Sequence, residues 1–227
     1  MTTICIITHD NYWLARYSIQ NLIEKANGLD FELFICDNGS KDQRIIDYGK
    51  SVAQNYLEMD SIMSHSYCYN EMMKMIETEF ICIFPVGIMV NTHWLSDLLD
   101  AFDNIEQTGV AAIHAYGEKG TLNPLLTHTD EMRHVWSTME GDLSGILLFN
   151  QVIIKGIGGF DKGITEETLA QRQFAFRVQR AGRHTFFVHG QSATDMMNRP
   201  QLNPEDIKSY ETSIELLKKD KQYKIEM

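Results

Sequence analysis

Short β-branched runs alternate with helical apolar stripes through the first half of the chain, and that alternation restricts the fold more than any other feature. The runs TICIIT (3–8), FELFIC (31–36) and FICIF (80–84) are apolar on both alternating faces, as strands buried between two layers are. Between them, Ala15, Ile19, Leu22, Ile23 and Ala26 recur at helical spacing, and Asn27-Gly28 supplies a stop. Tyr69, Met72, Met73 and Ile76 mark a second helix, and Leu95, Leu98, Leu99, Phe102 and Ile105 a third. A short strand is expected near residues 55–58. Gly109 is expected to close the third helix before the strand VAAI (110–113). This order predicts an α/β domain with a mixed, mainly parallel, Rossmann-like sheet flanked by helices.

The second half is less regular. Residues 116–140 lack periodicity and read as a long loop containing His128, Asp130, Glu131 and His134. SGILLFN (144–150) and HTFFVHG (184–190) read as strands. A helix over 166–181 carries Ala170, Phe174, Val178 and Ala181 and ends at Gly182. Asn203-Pro204 opens a final helix with Ile207, Tyr210, Ile214 and Leu217 on one face. The 227 residues suit a single domain over 1–227, with a core of roughly 3–190 and a helical tail at 203–220.

Composition narrows the partners. The net charge of −11 disfavours non-specific attraction to nucleic acid or to an anionic membrane surface. No apolar stretch is long enough for a spanning helix. Thr2-Thr3 pass directly into a strand without the basic region of a signal peptide. Cys5, Cys36, Cys68 and Cys82 never fall at Cys-x-x-Cys spacing, so they read as buried, reduced thiols of a cytoplasmic protein.

Thr8 and Asp37 finish two N-terminal strands that a right-handed crossover sets side by side. A hydroxyl and a carboxylate there suit a nucleoside, which offers ring donors, acceptors and ribose hydroxyls. Taken alone, Asp37-Asn38-Gly39-Ser40 is also an ordinary turn sequence.

The order ICIITHDN, FICDNGSKD, the Asn70 helix, FICIF with NTHWLSDLL, and SGILLFNQVIIKGIGGFD before a helix ending RVQRAG resembles family 2 glycosyltransferases of the GT-A fold. The resemblance covers roughly residues 3–190. It implies a sugar nucleotide, UDP-linked, as donor, with Thr8, Asp37 and Asn70 around the nucleotide and His189 and Arg177 near the diphosphate or acceptor. Asn38 and Gly87 complete the expected nucleotide-binding set, Gly87 through backbone N–H donors for the leaving diphosphate.

Two positions depart from the family pattern. Its Asp-x-Asp motif, whose carboxylates hold Mg²⁺ or Mn²⁺, aligns with Pro85-Val86-Gly87, which carry no side-chain oxygen. No metal ligand is assigned there, and any Mg²⁺ or Mn²⁺ would need other ligands. His128, Asp130, Glu131 and His134 are an alternative cation cluster, but loop polarity explains them more cheaply. The family's Glu-Asp pair aligns with Ala170-Gln171, while Glu166-Glu167 lies one turn earlier. Glu166 and Glu167 suit either a helix start or the base for inverting transfer to a hydroxyl. Three functions follow: a transferase working without the usual metal site, a non-catalytic relative binding a nucleotide sugar or a partner, and a transferase acting on a nucleobase or nucleic acid, against which the net charge speaks.

Overall fold

The computed structural model describes residues 1–113, 115–116, 124–129, 135–139, 145–188 and 193–195, and 208–209, 211–212 and 215 near the C-terminus. Its elements are β1 (Thr2–Thr8), α1 (Tyr12–Lys25), β2 (Phe31–Asp37), α2 (Gln43–Val52), β3 (Asn55–Glu58), α3 (His65–Met73), β4 (Phe80–Ile83), β5 (Ile88–Val90) and α4 (Trp94–Asn104). They continue with β6 (Thr108–Ile113), β7 (Ala115–Tyr116), β8 (Pro124–Thr129), β9 (Val135–Met139), β10 (Ile146–Asn150), α5 (Gln151–Ile157), α6 (Glu167–Arg180), β11 (His184–Val188) and β12 (Ala193–Asp195).

The main sheet has the order β3-β2-β1-β4-β10-β6-β11-β9-β8. β1 pairs in parallel with β2 and β4, and β6 with β11, whereas β10 runs antiparallel to both of its neighbours. β9 is the other reversed strand, between β11 and β8. The sheet is therefore mixed and mainly parallel, as the sequence predicts.

Strand pleating explains why the runs are apolar at consecutive positions in their centres. Ile4 and Ile6 of β1 join Leu33, Cys82, Phe84 and Trp94 on the side covered by α1, α2 and α4. Cys5 and Ile7, one residue out of step, join Phe34, Tyr69, Met72 and Phe174 on the side covered by α3, α5 and α6. With successive side chains on opposite faces, both sets must be hydrophobic.

Three features differ from expectation. Gly109 does not end a helix: α4 stops at Asn104, and Gly109 lies inside β6. A Cβ there would stand 2.4 Å from Val178 Cγ1, so the glycine lets α6 approach the sheet. Part of the expected 116–140 loop is sheet, because β8 and β9 pair antiparallel and extend it beyond β11. His128 falls in β8, while Asp130, Glu131 and His134 lie outside the described residues. Finally, α2 is not foreseen, although Asp42 caps it and Ile45, Ile46 and Gly49 form its buried side.

The run after FICIF also finds its explanation. The chain leaves the main sheet at Phe84, turns through Pro85-Val86-Gly87, and enters β5 of a second sheet ordered β5-β12-β7. Phe84 and Ile88 are fully buried, with Phe84 edge-on to Trp94 at 5.3 Å. This edge is apolar because it is core.

Candidate functional site

The chain passes from β1 outward through β2 to β3, then returns to add β4 on the opposite side of β1. That reversal lies at the carboxyl ends of β1 and β4, the position at which open α/β sheets usually bind ligands. Thr8 and Asp37 are register partners at the ends of β1 and β2. Both are buried, at 2% and 1% exposure. Asp37 Oδ1 accepts the Ser40 N–H at 2.9 Å, while Oδ2 accepts only a long 3.5 Å bond from Thr8 Oγ1 among the described residues. That second oxygen keeps acceptor capacity.

The two loops at this edge are tied to each other. Asn38 N–H donates to Thr8 O at 2.8 Å. Asp10 Oδ1 accepts the N–H groups of Lys41 and Asp42 at 2.6 and 3.1 Å, and its own N–H donates to Ser40 Oγ. Those two backbone donors hold the Asp10 carboxyl below its ordinary pKa. Asn38 faces the other way: its amide exchanges two bonds with Met63, N–H to Oδ1 at 2.8 Å and Nδ2 to O at 2.9 Å. The N–H of Gly87 donates to Ser18 Oγ at 3.2 Å, so it is already engaged.

A second cluster joins α3 to the Gly158–Asp161 loop and the start of α6. Asn70 clamps Phe160, donating to its carbonyl at 2.8 Å and accepting its N–H at 2.7 Å. Ser66 Oγ donates to Ile164 O, and Tyr69 OH donates to Glu167 Oε1 at 2.6 Å. Arg177 donates to Ile157 O, Gly159 O and Gln173 Oε1. Asn70 and Arg177 are thus brought together on one loop, which they brace by its backbone. Glu166 caps α6 through Oε2 to Leu169 N–H at 2.7 Å, and Glu167 follows in the first turn. His189 lies outside the described residues. Gln171 is buried; its Oε1 accepts the Gly145 N–H, and its Nε2 has no partner among the described residues.

Sequence reasoning missed Asp10, Ser66 and Tyr69. Periodicity places Tyr69 on a helix but reveals no role for any of the three, since each acts on a segment distant in the chain. The spacing Ser66–Tyr69–Asn70 on one helical face is the only available signal, and it suits an ordinary packed face equally well. All four thiols are buried and free; burial raises the pKa of Cys5 and Cys82, while that of Cys68 is lowered by its hydrogen bond with Cys36. Cys36 is pushed up as well, by its neighbour Cys68 and by burial.

The fold that carries these residues has counterparts among solved structures. Residues 1–349 of TarS from S. aureus in complex with UDP match with a TM-score of 0.70 and 16% identity, over 95% of this chain and 64% of that one. The mannosyltransferase PcManGT from Pyrobaculum calidifontis, in complex with GDP-Man and Mn²⁺, matches with a TM-score of 0.67 and 12% identity, over 88% and 58%. GalNAc-T7 with UDP, GalNAc and Mn²⁺ matches with a TM-score of 0.71 and 10% identity, over 95% and 47%. The fold is GT-A-like.

The chain spans less than two thirds of the length of each of these structures. No protein-family model matches the sequence, and no curated protein matches it. In this GT-A-like fold, Pro85-Val86-Gly87 bring no side-chain oxygen to the turn between β4 and β5. Hard cations want oxygen ligands, and this turn offers backbone alone. Among the described residues, no group of three or more His, Cys, Asp or Glu could hold a metal ion. No described helix is long and apolar enough to cross a membrane.

Proposed function

We propose that the chain binds a nucleotide sugar, UDP-linked, and transfers the sugar to an acceptor hydroxyl with inversion. The observation that carries this reading is the Thr8–Asp37 pair at the reversal of strand order, with a carboxylate oxygen held in place and short of partners. Thr8 and Asp37 would meet the nucleoside. Asn38 and Asn70 would act by fixing the loops that border it, and Gly87 would lie at the turn beside the diphosphate. In the transfer, an oxygen of the acceptor attacks the anomeric carbon as the bond to the departing diphosphate breaks. Glu166 and Glu167 are the carboxylates from which the base that takes the acceptor proton is drawn. Arg177 holds the loop that precedes them, and His189 is assigned to the diphosphate or acceptor.

Because the turn at 85–87 does not suit a cation, the reading includes binding that does not depend on metal at that turn. Titration calorimetry with UDP, UDP-GlcNAc and GDP-mannose, in Mn²⁺ and in EDTA, tests it. Binding of a uridine nucleotide that Asp37→Ala weakens supports the site, and no nucleotide binding under either condition ends it. A second reading, a non-catalytic nucleotide-sugar binder, is favoured by Gln171, an amide where the resemblance expects an acid. Binding without turnover across a range of acceptors would select it. Transfer to a nucleobase or nucleic acid finds no support in a chain of net charge −11.

A further inference from the structure

The solvent face of α1 carries a group of aromatic rings that neither the fold nor the nucleotide reading uses. Trp13 and Tyr17, one turn apart, are each 53% exposed. Their ring planes lie 27° apart with centroids separated by 6.2 Å. Tyr12 meets Trp13 edge-on at 4.9 Å. The Arg16 guanidinium stands 5.9 Å from the ring centres of both Tyr12 and Trp13 and donates to Tyr12 OH at 3.0 Å. Among the described residues Arg16 has no carboxylate partner, in a chain with an excess of acids.

Helix stability does not require this pair. An i,i+4 ring contact is worth a few tenths of a kcal/mol, and a helix whose Ala15, Ile19 and Leu22 already face the core has no need of outward rings. Exposed apolar surface grouped with a polar rim marks interaction. Position narrows the partner. α1 begins four residues after Thr8, so Trp13 sits at the ligand edge of the sheet, and Tyr17 about 8 Å along the helix axis from its start at 1.5 Å per residue.

We propose that Trp13, Tyr17 and Arg16 form a glycan-binding surface that holds a chain of pyranose sugars beside the cleft. A pyranose ring presents a C–H face to an aromatic ring and a rim of hydroxyl or acidic groups to a donor. The two exposed rings, their planes 27° apart, and a guanidinium with no carboxylate partner among the described residues supply both. A nucleic acid strand would also stack on these rings, but the overall negative charge opposes it. Calling this glycan the acceptor rests on the transferase reading; its binding does not.

The test is a glycan array of neutral and acidic pyranose oligosaccharides, read with the full chain and with the Trp13→Ala/Tyr17→Ala and Arg16→Ala variants. The wild type should retain a defined set of glycans, the double variant should lose them at least tenfold, and UDP affinity should stay within twofold. Loss in Arg16→Ala confined to acidic glycans would identify the charged group as its partner. Because both rings are exposed, the variants should keep the wild-type circular dichroism and melting temperature. The fluorescence difference between wild type and Trp13→Phe on adding a retained glycan reports the contact without either alanine. A wild type that retains no glycan, or a double variant that retains the same ones, overturns the proposal. So does a concentration-dependent dimer abolished by the double variant, since the surface would then bind a second copy. Glycan binding without any nucleotide binding would uphold the surface while removing the description of its ligand as an acceptor.

Discussion

The Tyr69 hydroxyl donates to Glu167 Oε1 at 2.6 Å, joining α3 to the first turn of α6 across 98 positions of sequence. Tyr69 is buried and packs on Phe160 at 5.5 Å, so the ring would stay in place if the hydroxyl were removed. Tyr69→Phe is expected to lower stability by about 1.5–3 kcal/mol, the scale of a hydrogen bond to a charged group. Urea unfolding measures this directly. An unchanged midpoint and slope would show that the contact adds nothing. If Glu167 is the base, the same variant should also lose turnover while its UDP affinity holds.

Asn70 and Gly159 should be energetically coupled. A Cβ at Gly159 would stand 2.1 Å from Asn70 Oδ1, and Asn70 in turn satisfies both backbone groups of Phe160. Asn70→Ala alone should cost about 1–3 kcal/mol through the unpaired groups it leaves. Gly159→Ala alone should be destabilising, and less so in the Asn70→Ala background, giving a favourable interaction energy of at least about 0.5 kcal/mol in a double-mutant cycle. Additive losses would mean that the loop shifts away from α3 without strain.

Asp37→Ala should weaken uridine-nucleotide binding by about 1–3 kcal/mol, the cost of losing a buried charged partner. Asp37→Asn, which keeps the shape and can still accept the Ser40 N–H, should lose less. Calorimetry showing equal affinity in all three proteins would remove Asp37 from the site.

Replacing Mn²⁺ by EDTA should change the affinity for UDP less than threefold, because Pro85-Val86-Gly87 bring no side-chain oxygen to the diphosphate. A tenfold or larger loss in EDTA, with Mn²⁺ located at residues 85–87, would overturn this expectation.

The Asp10 bridge should respond to acid in a definite direction. Its carboxyl is held below the ordinary value of 3.8 by the N–H groups of Lys41 and Asp42. A depressed pKa means that the bridge is intact above the ordinary value and is lost as pH falls through the lower, folded one. The amide resonances of Lys41 and Asp42 should therefore titrate with a midpoint below 3.8, and Asp10→Asn should abolish that transition. A midpoint at or above the ordinary value would deny the bridge in solution.

The sequence by itself determined the layers. TICIIT, FELFIC and FICIF are apolar at consecutive positions, a pattern that suits a strand covered on both faces, and the stripes between them fix the covering helices. It also placed Thr8 and Asp37 together, because a short right-handed crossover leaves adjacent parallel strands ending side by side. It did not reveal α2, whose apolar set of Ile45, Ile46 and Gly49 is brief and interrupted by charges. It gave Gly109 to a helix end because a glycine needed for close approach looks the same in one dimension as a glycine needed for a stop. Only the tertiary structure decided what Asn70, Tyr69 and Arg177 touch. Their partners lie at Phe160, Glu167, Ile157 and Gly159, and such contacts depend on how α3 and α6 lie against the sheet, which local propensity does not encode. The same holds for Trp13 and Tyr17. Helical spacing puts them on one face, but that this face stays exposed among the described residues follows only from where those residues pack.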